Sequence, residues 1–398
     1  MTDRRDFLKA AAAGAAGLTA GAVGGWAATS ATVTAEIDDL QAEIDQLRLL
    51  VPKELEGLNI YHWTYYLNRP LVFEADFSFV KNTGMSYGVN AIYDTYESNE
   101  EAMLRLEAGA SGYDIMVITD SYVAESIDKG LLDPIDLDQI PNYEFALDEF
   151  KGQYYDPNNE YSTPYAFGTA GIGYNKDLAG PITAWADILE PDKVAPYDNR
   201  VTMLDVADEC FGATLRYLGY SVNDNDEDHL REALDVLKEQ KPYLRGYHAT
   251  EAYMTGLETG DFWISHAWNG DIAGVTYAAS EYEVTVSRAL EDIVYIVPEE
   301  GGYVWIDNMV MPKDAPHPDA AHAFMNFILD PRVAAINTMT VKYAFPNEEG
   351  MKYVPVEIAE DETIFPSQEV LSSLEVAQPF TEEQRTLRAL LWLELQAA

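Results

Sequence analysis

The stretch Tyr113-Asp114-Ile115-Met116-Val117-Ile118-Thr119-Asp120-Ser121 organises the fold expected for this chain. Residues 113–118 are mostly apolar, and a short apolar run of this kind predicts a buried strand. The polar residues 119–121 then precede a helical pattern that continues to about Lys129, so Asp120 fits the N-cap of a helix. A strand that passes directly into a helix is the basic unit of an α/β fold.

The same alternation occurs upstream of this stretch. Leu58–Trp63 predicts one strand and residues 89–96 predict another. Ser98 with Glu101 forms the sequence pattern of a capping box, which predicts a helix through Glu107. Alternating strands and helices predict an α/β fold with mostly parallel sheets and helices on both faces.

The length of the chain favours two lobes. The body that follows residue 55 holds roughly 345 residues, more than one hydrophobic core usually serves. The sequence has no internal repeat and no long linker, so we expect lobes joined by several short crossings, with 162–173 and 297–302 as candidates. Ligands of such sheets bind beyond the carboxyl ends of the strands, where Trp63 and residues 119–122 fall.

The surface charge excludes two classes of partner. The chain carries 68 Asp plus Glu against 25 Lys plus Arg, a net charge of −43. A surface this acidic repels nucleic acid and anionic lipid headgroups, so neither is an expected partner. Hydrophobic residues make up 47% of the chain, which is enough to build a core. Dense acidic charge on a packed protein indicates adaptation to high salt, where self-repulsion is screened.

The sequence selects no catalytic, metal or cofactor site. Cys210 is the only cysteine, which excludes an intrachain disulfide and a thiolate metal cluster, and we expect it to be buried. Asp224-Asn225-Asp226-Glu227-Asp228 begins like a calcium loop but lacks the later Gly and Glu, so it is interpreted as a solvated loop before a helix. The motifs of serine hydrolases, zinc proteases and phosphate-binding loops do not occur. We expect a protein that is not an enzyme, with a two-carboxylate hydrolase as the enzyme alternative.

The N-terminus has the pattern of an export signal. Arg4-Arg5-Asp6-Phe7-Leu8-Lys9 followed by the weakly apolar segment 10–28 is typical of a twin-arginine signal, so we assign 1–28 to it. The protein is therefore expected to act outside the cytoplasm. Small residues near the end of the segment favour cleavage slightly, whereas about 19 apolar residues can also anchor the chain in a bilayer.

Residues 29–51 are predicted to be a helical stalk or linker. Within 34–51, apolar residues recur at three- and four-residue steps between acidic residues, as in a short a/d seam. Two heptads do not hold a coiled coil alone, so a helical spacer or a helix packed on the body is expected.

Two short blocks join aromatic residues to a carboxylate. They are Ala267-Trp268-Asn269-Gly270-Asp271 and Gly301-Gly302-Tyr303-Val304-Trp305-Ile306-Asp307. An indole offers an apolar face with negative quadrupole charge, and a carboxylate offers a full negative charge. Together they suit a ligand that is both apolar and cationic.

These blocks belong to a longer ordered series. It consists of Tyr61-His62-Trp63-Thr64-Tyr65-Tyr66, Thr95-Tyr96-Glu97-Ser98-Asn99-Glu100, Asp156-Pro157-Asn158-Asn159-Glu160-Tyr161-Ser162-Thr163-Pro164-Tyr165, Trp268-Asn269-Gly270 and residues 301–307. In order and spacing, the series resembles the extracellular spermidine/putrescine-binding proteins of ABC importers. The likeness extends over residues 58–365, nearly the whole body.

The resemblance implies a two-lobed, periplasmic-binding-protein-like α/β fold that closes over its ligand about a hinge of crossing segments. It assigns 52–166 and 302–350 to the first lobe, and 167–301 and 351–398 to the second. The implied partners are a polyamine of the spermidine/putrescine kind and the permease subunits of an ABC importer, and the chain is expected to be a monomer.

The resemblance also implies which residues contact the ligand. Carried over position by position, they are Trp63, Tyr66, Thr119, Asp120, Tyr122, Glu209, Trp268, Trp305, Asp307, Tyr343 and Gln378. A polyamine carries ammonium groups separated by methylene runs, so carboxylates and flat aromatic walls suit it. Asp307 beside Trp305 meets both needs.

Two positions depart from the family pattern. Val206 stands where the family usually has an acid, three residues before Glu209, although Asp205 and Asp208 flank it. Ser121 stands where the family has a tyrosine. The amine class is therefore expected while the individual amine stays open. Another cationic or quaternary amine is one alternative ligand, and a membrane-anchored amine sensor is the alternative to import.

The acidic surface yields a first prediction. Because added salt screens repulsion between surface carboxylates, the midpoint of thermal unfolding should rise when KCl increases from about 0.2 M to about 3 M. Differential scanning fluorimetry measures this shift, and sucrose at matched osmolarity is the control for general solvent exclusion. A midpoint that stays constant or falls with KCl would contradict adaptation to high salt.

Overall fold

The structure, a computed structural model, describes residues 55–74, 78–109, 112–197, 199–277 and 288–398. The predicted export signal and the helical stalk lie outside the described residues. Within the described ranges, no helix is both long and apolar enough to cross a bilayer.

Two of the described strands are long, and the others span six residues or fewer. The described residues contain eleven: β1 (Leu58–Trp63), β2 (Ala91–Tyr96), β3 (Ile115–Thr119), β4 (Leu132–Asp133), β5 (Ser162–Asn175), β6 (Val201–Leu204), β7 (Gly246–His248), β8 (Ile264–Trp268), β9 (Ile293–Ile296), β10 (Tyr303–Pro312) and β11 (Glu375–Val376).

Helices separate most of the strands. The described α-helices are α1 (Phe79–Asn82), α2 (Asn99–Glu107), α3 (Asp120–Asp128), α4 (Ala186–Leu189), α5 (Pro191–Val194), α6 (Ala207–Tyr217), α7 (Glu227–Gln240), α8 (Thr250–Thr259), α9 (Asn269–Thr276), α10 (Pro318–Ile328), α11 (Pro331–Val341), α12 (Val356–Ala359), α13 (Gln368–Ser372) and α14 (Glu382–Ala397). A π-helical turn occurs at Pro70–Glu74, and short 3₁₀ turns occur at Leu137–Gln139, Pro141–Phe145, Asp148–Phe150, Ala195–Tyr197, Lys241–Tyr243 and Gly350–Tyr353.

The chain divides into two compact units. The described residues of the first unit are 55–167 and 306–361, and those of the second are 168–277, 288–305 and 362–398. Between described residues the chain passes from one unit to the other at three crossings: Phe167/Gly168 within β5, Trp305/Ile306 within β10, and Asp361/Glu362. The lobe boundaries given above remain a prediction.

In the first unit, β1 pairs in parallel with β2 and with β3, and β10 pairs antiparallel with β3. The register places Asp307 of β10 opposite Thr119 at the end of β3. Apolar residues of α2 and α3 cover this sheet: Ala102, Met103, Leu106 and Val123 pack with Met116 and Ile118. The sheet is mixed because β10 enters it in the opposite direction.

The second unit has its own sheet. In it β6 pairs in parallel with β7 and β8, while β5 pairs antiparallel with β8 and β9. Apolar side chains of α6, α7 and α14 form one core against it, with Phe211, Leu234 and Leu391 nearly inaccessible to solvent. Cys210 belongs to this core and is fully buried, as expected.

The local predictions hold with small shifts. The strand Leu58–Trp63 is confirmed, and α3 begins one residue earlier than expected, so Thr119 rather than Asp120 is its N-cap. The Ser98 side chain caps α2, but the Glu101 carboxylate accepts from the N–H of Glu97 instead of Ser98. Asp226 caps α7, which confirms the acidic run as a loop before a helix.

Candidate functional site

The first unit buries the carboxyl group of Asp307. Its side chain lies on β10 with only 4% of its surface exposed. The Thr119 hydroxyl donates a hydrogen bond to its Oδ1 at 2.7 Å. Burial raises the pKa of Asp307 to about 7, and the hydroxyls of Thr119 and Tyr66 partly offset this by stabilising the ionised form. None of the described Lys, Arg or His side chains forms an ion pair with this carboxyl group.

An amide side chain orients the Thr119 hydroxyl. The Asn99 amide donates to Thr119 Oγ1 at 2.8 Å, and the Asn99 carbonyl accepts from the Thr119 backbone N–H at 3.2 Å. Because Asn99 already donates to this hydroxyl oxygen, the hydroxyl hydrogen is directed toward Asp307. The ligand-contacting residues implied by the resemblance do not include Asn99. Its only local signal is its place directly after the Ser98 cap.

Aromatic rings line the same part of the first unit. The Tyr66 ring meets the Tyr343 ring edge-on, with centroids 4.9 Å apart and an interplanar angle of 88°. Trp63 ends β1 and packs against Tyr96 at 4.8 Å. The predicted residues Trp63, Tyr66, Thr119, Asp307 and Tyr343 are thus all in the first unit, and contacts join Tyr66 and Thr119 to Asp307.

Two other predicted residues of the first unit are engaged with the protein itself. The Asp120 carboxylate is fully buried and accepts from the N–H groups of Ile306 at 3.1 Å and Ser121 at 2.6 Å. The Tyr122 hydroxyl donates to Glu100 at 2.7 Å, which ties α3 to α2. Asp120 therefore supports the residue next to Asp307, and Tyr122 braces two helices.

The second unit holds a second carboxyl group, that of Glu209 in the first turn of α6. The Trp268 indole N–H donates to its Oε1 at 3.1 Å, and its buried Oε2 has no hydrogen-bond partner among the described residues. Burial raises the pKa of Glu209 to about 7, while the Trp268 bond lowers it in part and the charge of Asp208 raises it. Trp268 ends β8 and Glu209 follows β6, and these neighbouring parallel strands bring them together.

The Trp305 ring lies on the backbone of Gly168. A Cβ atom at Gly168 would lie 2.4 Å from Cζ2 of Trp305 and 2.4 Å from Oδ1 of Asn269. Trp305 retains 9% exposure in this position. Only glycine lets the indole approach β5 this closely. No local sequence pattern indicates this role for Gly168.

The remaining predicted and flanking residues of the second unit are dispersed. Gln378 is exposed, and its backbone N–H donates to Asn223 at 2.8 Å; among described residues no contact joins its side chain to Glu209 or Trp268. Of the acids beside Val206, Asp208 lies 3.6 Å from the buried guanidinium of Arg388, whereas Asp205 is exposed.

The chemistry of both units is that of cation recognition. Each buries a carboxyl group whose partners are neutral hydrogen-bond donors, and each places indole or phenol rings nearby. A buried carboxylate without a cation is unfavourable, so a positively charged ligand would stabilise its ionised form. Across the described residues, no cluster of His, Cys, Asp and Glu is arranged to hold a metal ion.

Comparison with known proteins decides the family. The model of the family described as bacterial extracellular solute-binding protein matches residues 75–366. The chain belongs to this family of solute-binding proteins.

Several relatives of this solute-binding protein have similar length. The putrescine/cadaverine-binding protein of Pseudomonas aeruginosa is 31% identical over 345 residues, covering 86% of this chain and 94% of the relative. The spermidine/putrescine-binding periplasmic protein of Salmonella typhimurium is 32% identical over 320 residues, covering 80% and 85%. The substrate-binding protein of the spermidine/putrescine ABC transporter of Streptococcus pneumoniae is 30% identical with a TM-score of 0.69, covering 86% and 99%.

These similarities confirm the predicted fold class, a two-lobed α/β solute-binding fold with mostly parallel sheets. The assignment of individual ligand-contacting residues stays a prediction.

The raised carboxyl pKa values predict how stability depends on pH. Between the usual pKa of Asp, 3.8, and about 7, the folded solute-binding protein keeps the Asp307 proton that the unfolded chain has lost. Asp307 therefore contributes a fall in the free energy of unfolding of the ligand-free protein as pH rises through this interval. Asp307→Asn should make that fall shallower by up to about 1.4 kcal/mol per pH unit. Urea denaturation at several pH values measures the difference.

Asp128→Asn is the matched control, because Asp128 is exposed in the same unit. The buried histidines His62 and His266, whose pKa burial lowers to about 3, change stability in the opposite direction below their usual pKa. They are common to all three proteins and cancel in the comparison. Equal slopes for wild type and Asp307→Asn would show that Asp307 titrates normally.

Proposed function

We propose that this solute-binding protein captures a polyamine outside the cytoplasm and delivers it to the membrane permease of an ABC importer. The observation that carries the proposal is the pair of desolvated carboxyl groups, that of the buried Asp307 and that of Glu209 with its buried Oε2, which have no cationic partner among the described residues. An ammonium group supplies the charge that each lacks.

The energetics favour a cation with an apolar body. At about 4 Å and an effective dielectric constant near 20, an ammonium–carboxylate pair gains roughly 4 kcal/mol before desolvation. Each buried methylene adds about 0.8 kcal/mol, and an indole face adds about 0.5–2 kcal/mol of cation–π attraction. A chain of methylenes between two ammonium groups gains all three contributions: ion pairing, methylene burial and cation–π attraction.

The relatives support the same ligand class. Those named above are described as binding putrescine with cadaverine or with spermidine, and they span nearly the whole body of this chain. The family description as extracellular agrees with a role outside the cytoplasm. None of these names describes catalysis, which agrees with the absence of a catalytic motif in the sequence.

Each unit offers its own residues for binding a cation. Asp307, with Thr119 and Tyr66, would bind one ammonium group, and Trp63 and Tyr343 would cover the adjoining methylenes. In the second unit, Glu209 would bind an ammonium group, with Trp268 and Trp305 as apolar walls. Asp120 and Tyr122 would act behind this surface, because their polar atoms are bonded to the protein. Gln378 has the weakest support, because it is exposed and no contact among the described residues joins its side chain to Glu209 or Trp268.

Calorimetry on a panel of putrescine, spermidine, betaine and thiamine in high salt tests the ligand. We expect putrescine or spermidine to bind and betaine to bind more weakly, because a quaternary ammonium group cannot donate hydrogen bonds to a carboxylate. Asp307→Asn should weaken binding of the preferred amine by about 2–4 kcal/mol, roughly 30- to 1,000-fold in Kd. Wild-type affinity should fall as pH drops below about 7, because protonation neutralises the carboxylates.

Asp128→Asn again serves as control, since it removes the same charge from an exposed position. Glu209→Gln tests the second unit separately. Failure of every amine to bind would overturn the proposed ligand class. Full affinity in Asp307→Asn or in Trp305→Ala would overturn the site assignment while leaving the class intact.

We further infer export by the twin-arginine route from Arg4 and Arg5. Replacing both with lysine should retain the protein in the cytoplasm, because this pathway reads the arginine pair as an address rather than as charge. Fractionation of cells that express either form measures the distribution. Equal export of the double-lysine form would assign the protein to another route.

A further inference from the structure

The three described crossings come together in the second unit. One side of each crossing belongs to this unit: Gly168 begins its part of β5, Trp305 ends its part of β10, and Glu362 begins its last segment. Thr169 and Thr363, which lie next to the first and last crossings, bond the side chain of Asn269. Trp305, at the middle crossing, lies against Gly168 at the first.

Asn269 ties two crossings together. Its Oδ1 accepts from the N–H of Thr169 at 2.9 Å, and its Nδ2 donates to the carbonyl of Thr363 at 2.7 Å. The side chain is fully buried, so neither bond competes with solvent. Thr169 follows the first crossing by two residues, and Thr363 follows the last by two. One amide therefore holds the starts of both segments in one arrangement.

Gly168 and Trp305 add the remaining crossing. A Cβ at Gly168 would collide at 2.4 Å with both the Trp305 ring and Asn269 Oδ1, so the indole and the amide both lie against the backbone of Gly168. A close-packed group of this kind does not deform continuously, because protein interiors resist small displacements. A shift of the Trp305 ring toward β5 therefore requires Gly168 or Asn269 to move.

Asn269 also continues directly from Trp268. Trp268 is the N-cap of α9 and Asn269 is its first residue, so the indole that bonds Glu209 and the amide that holds the crossings share one backbone turn. The residues proposed to contact the ligand and the residues that hold the crossings are thus adjacent in the chain and in contact.

We propose that Asn269 and Gly168 form a clamp that couples ligand contact at Trp268 and Trp305 to the positions of the three crossings. Both are positioning residues that need not touch the ligand. The coupling to ligand rests on the proposed function, whereas the clamp itself exists without ligand.

Pulsed electron–electron double resonance on the full-length protein tests the clamp. Spin labels at Leu104→Cys in the first unit and Leu390→Cys in the second report the distance between units, because both side chains are exposed. The native Cys210 is fully buried and does not compete for label. The ligand probe is putrescine or spermidine, whichever binds the wild type more tightly.

Asn269→Asp is the main variant. It keeps the acceptor for Thr169 but sets a carboxylate oxygen against the Thr363 carbonyl, which breaks one of the two ties. We expect a broader distance distribution without ligand, a smaller shift on adding amine, and a Kd raised by about 5- to 150-fold, the usual range of coupling between sites. Gly168→Ala, which displaces the indole, should act in the same direction.

Two matched variants separate the clamp from general damage. Asn175→Asp alters another buried asparagine at the far end of β5, where Nδ2 donates to Asp292 at 2.6 Å. Gly274→Ala adds a methyl group that meets only Met254 at 3.5 Å, an ordinary contact. Both should retain the wild-type distance distribution, shift and Kd, although Asn175→Asp should lower the unfolding midpoint.

The outcomes distinguish the clamp from the ligand proposal. A wild-type distribution, shift and Kd in Asn269→Asp or Gly168→Ala would overturn the clamp, as would equal losses in Asn175→Asp or Gly274→Ala. If the wild type binds no amine but Asn269→Asp still broadens the ligand-free distribution, the clamp stands and the polyamine assignment fails. Unfolding midpoints confirm that each variant is folded, and if Asn269→Asp is not, Gly168→Ala decides.

Discussion

Burial of a carboxyl group without a cation is the constraint on which this protein depends. Asp307 is almost fully enclosed, and this burial raises its pKa to about 7, although the hydroxyl of Thr119 partly offsets the shift. Such a group is a source of instability when no ligand is bound and a source of affinity when a cation arrives. The surrounding network of Thr119 and Asn99 keeps the carboxyl group oriented without neutralising it, and this preserves its capacity to bind a charged ligand.

The same residue type does two different jobs in this chain. The chain carries 68 acidic residues and a net charge of −43, and salt screens those that face solvent. Glu209 and Asp307 differ only in environment, since desolvation shifts the pKa of each toward neutrality. A strongly acidic surface also attracts cations in general, so discrimination between amines must come from these buried groups and the rings beside them.

The path of the backbone links these groups to the architecture. Trp305 and Asp307 lie two residues apart on β10, yet the crossing at Trp305/Ile306 places one in each unit. Gly168 stands at the corresponding point of β5. Two residues of the proposed site therefore flank a point where the chain changes unit.

The sequence by itself determined the local elements and the family. Leu58–Trp63, the Ser98 cap and the strand-to-helix passage at Thr119 follow from apolar runs and capping chemistry, which depend on near neighbours. Only the tertiary structure decided how Asp307 and Glu209 are desolvated and what they bond, because burial and partners come from residues far apart in the chain. Thr119 and Asp307 are 188 positions apart, and no local pattern signals their hydrogen bond. For the same reason Asn99, Asn269 and Gly168 gained roles only once the fold had brought distant segments into contact.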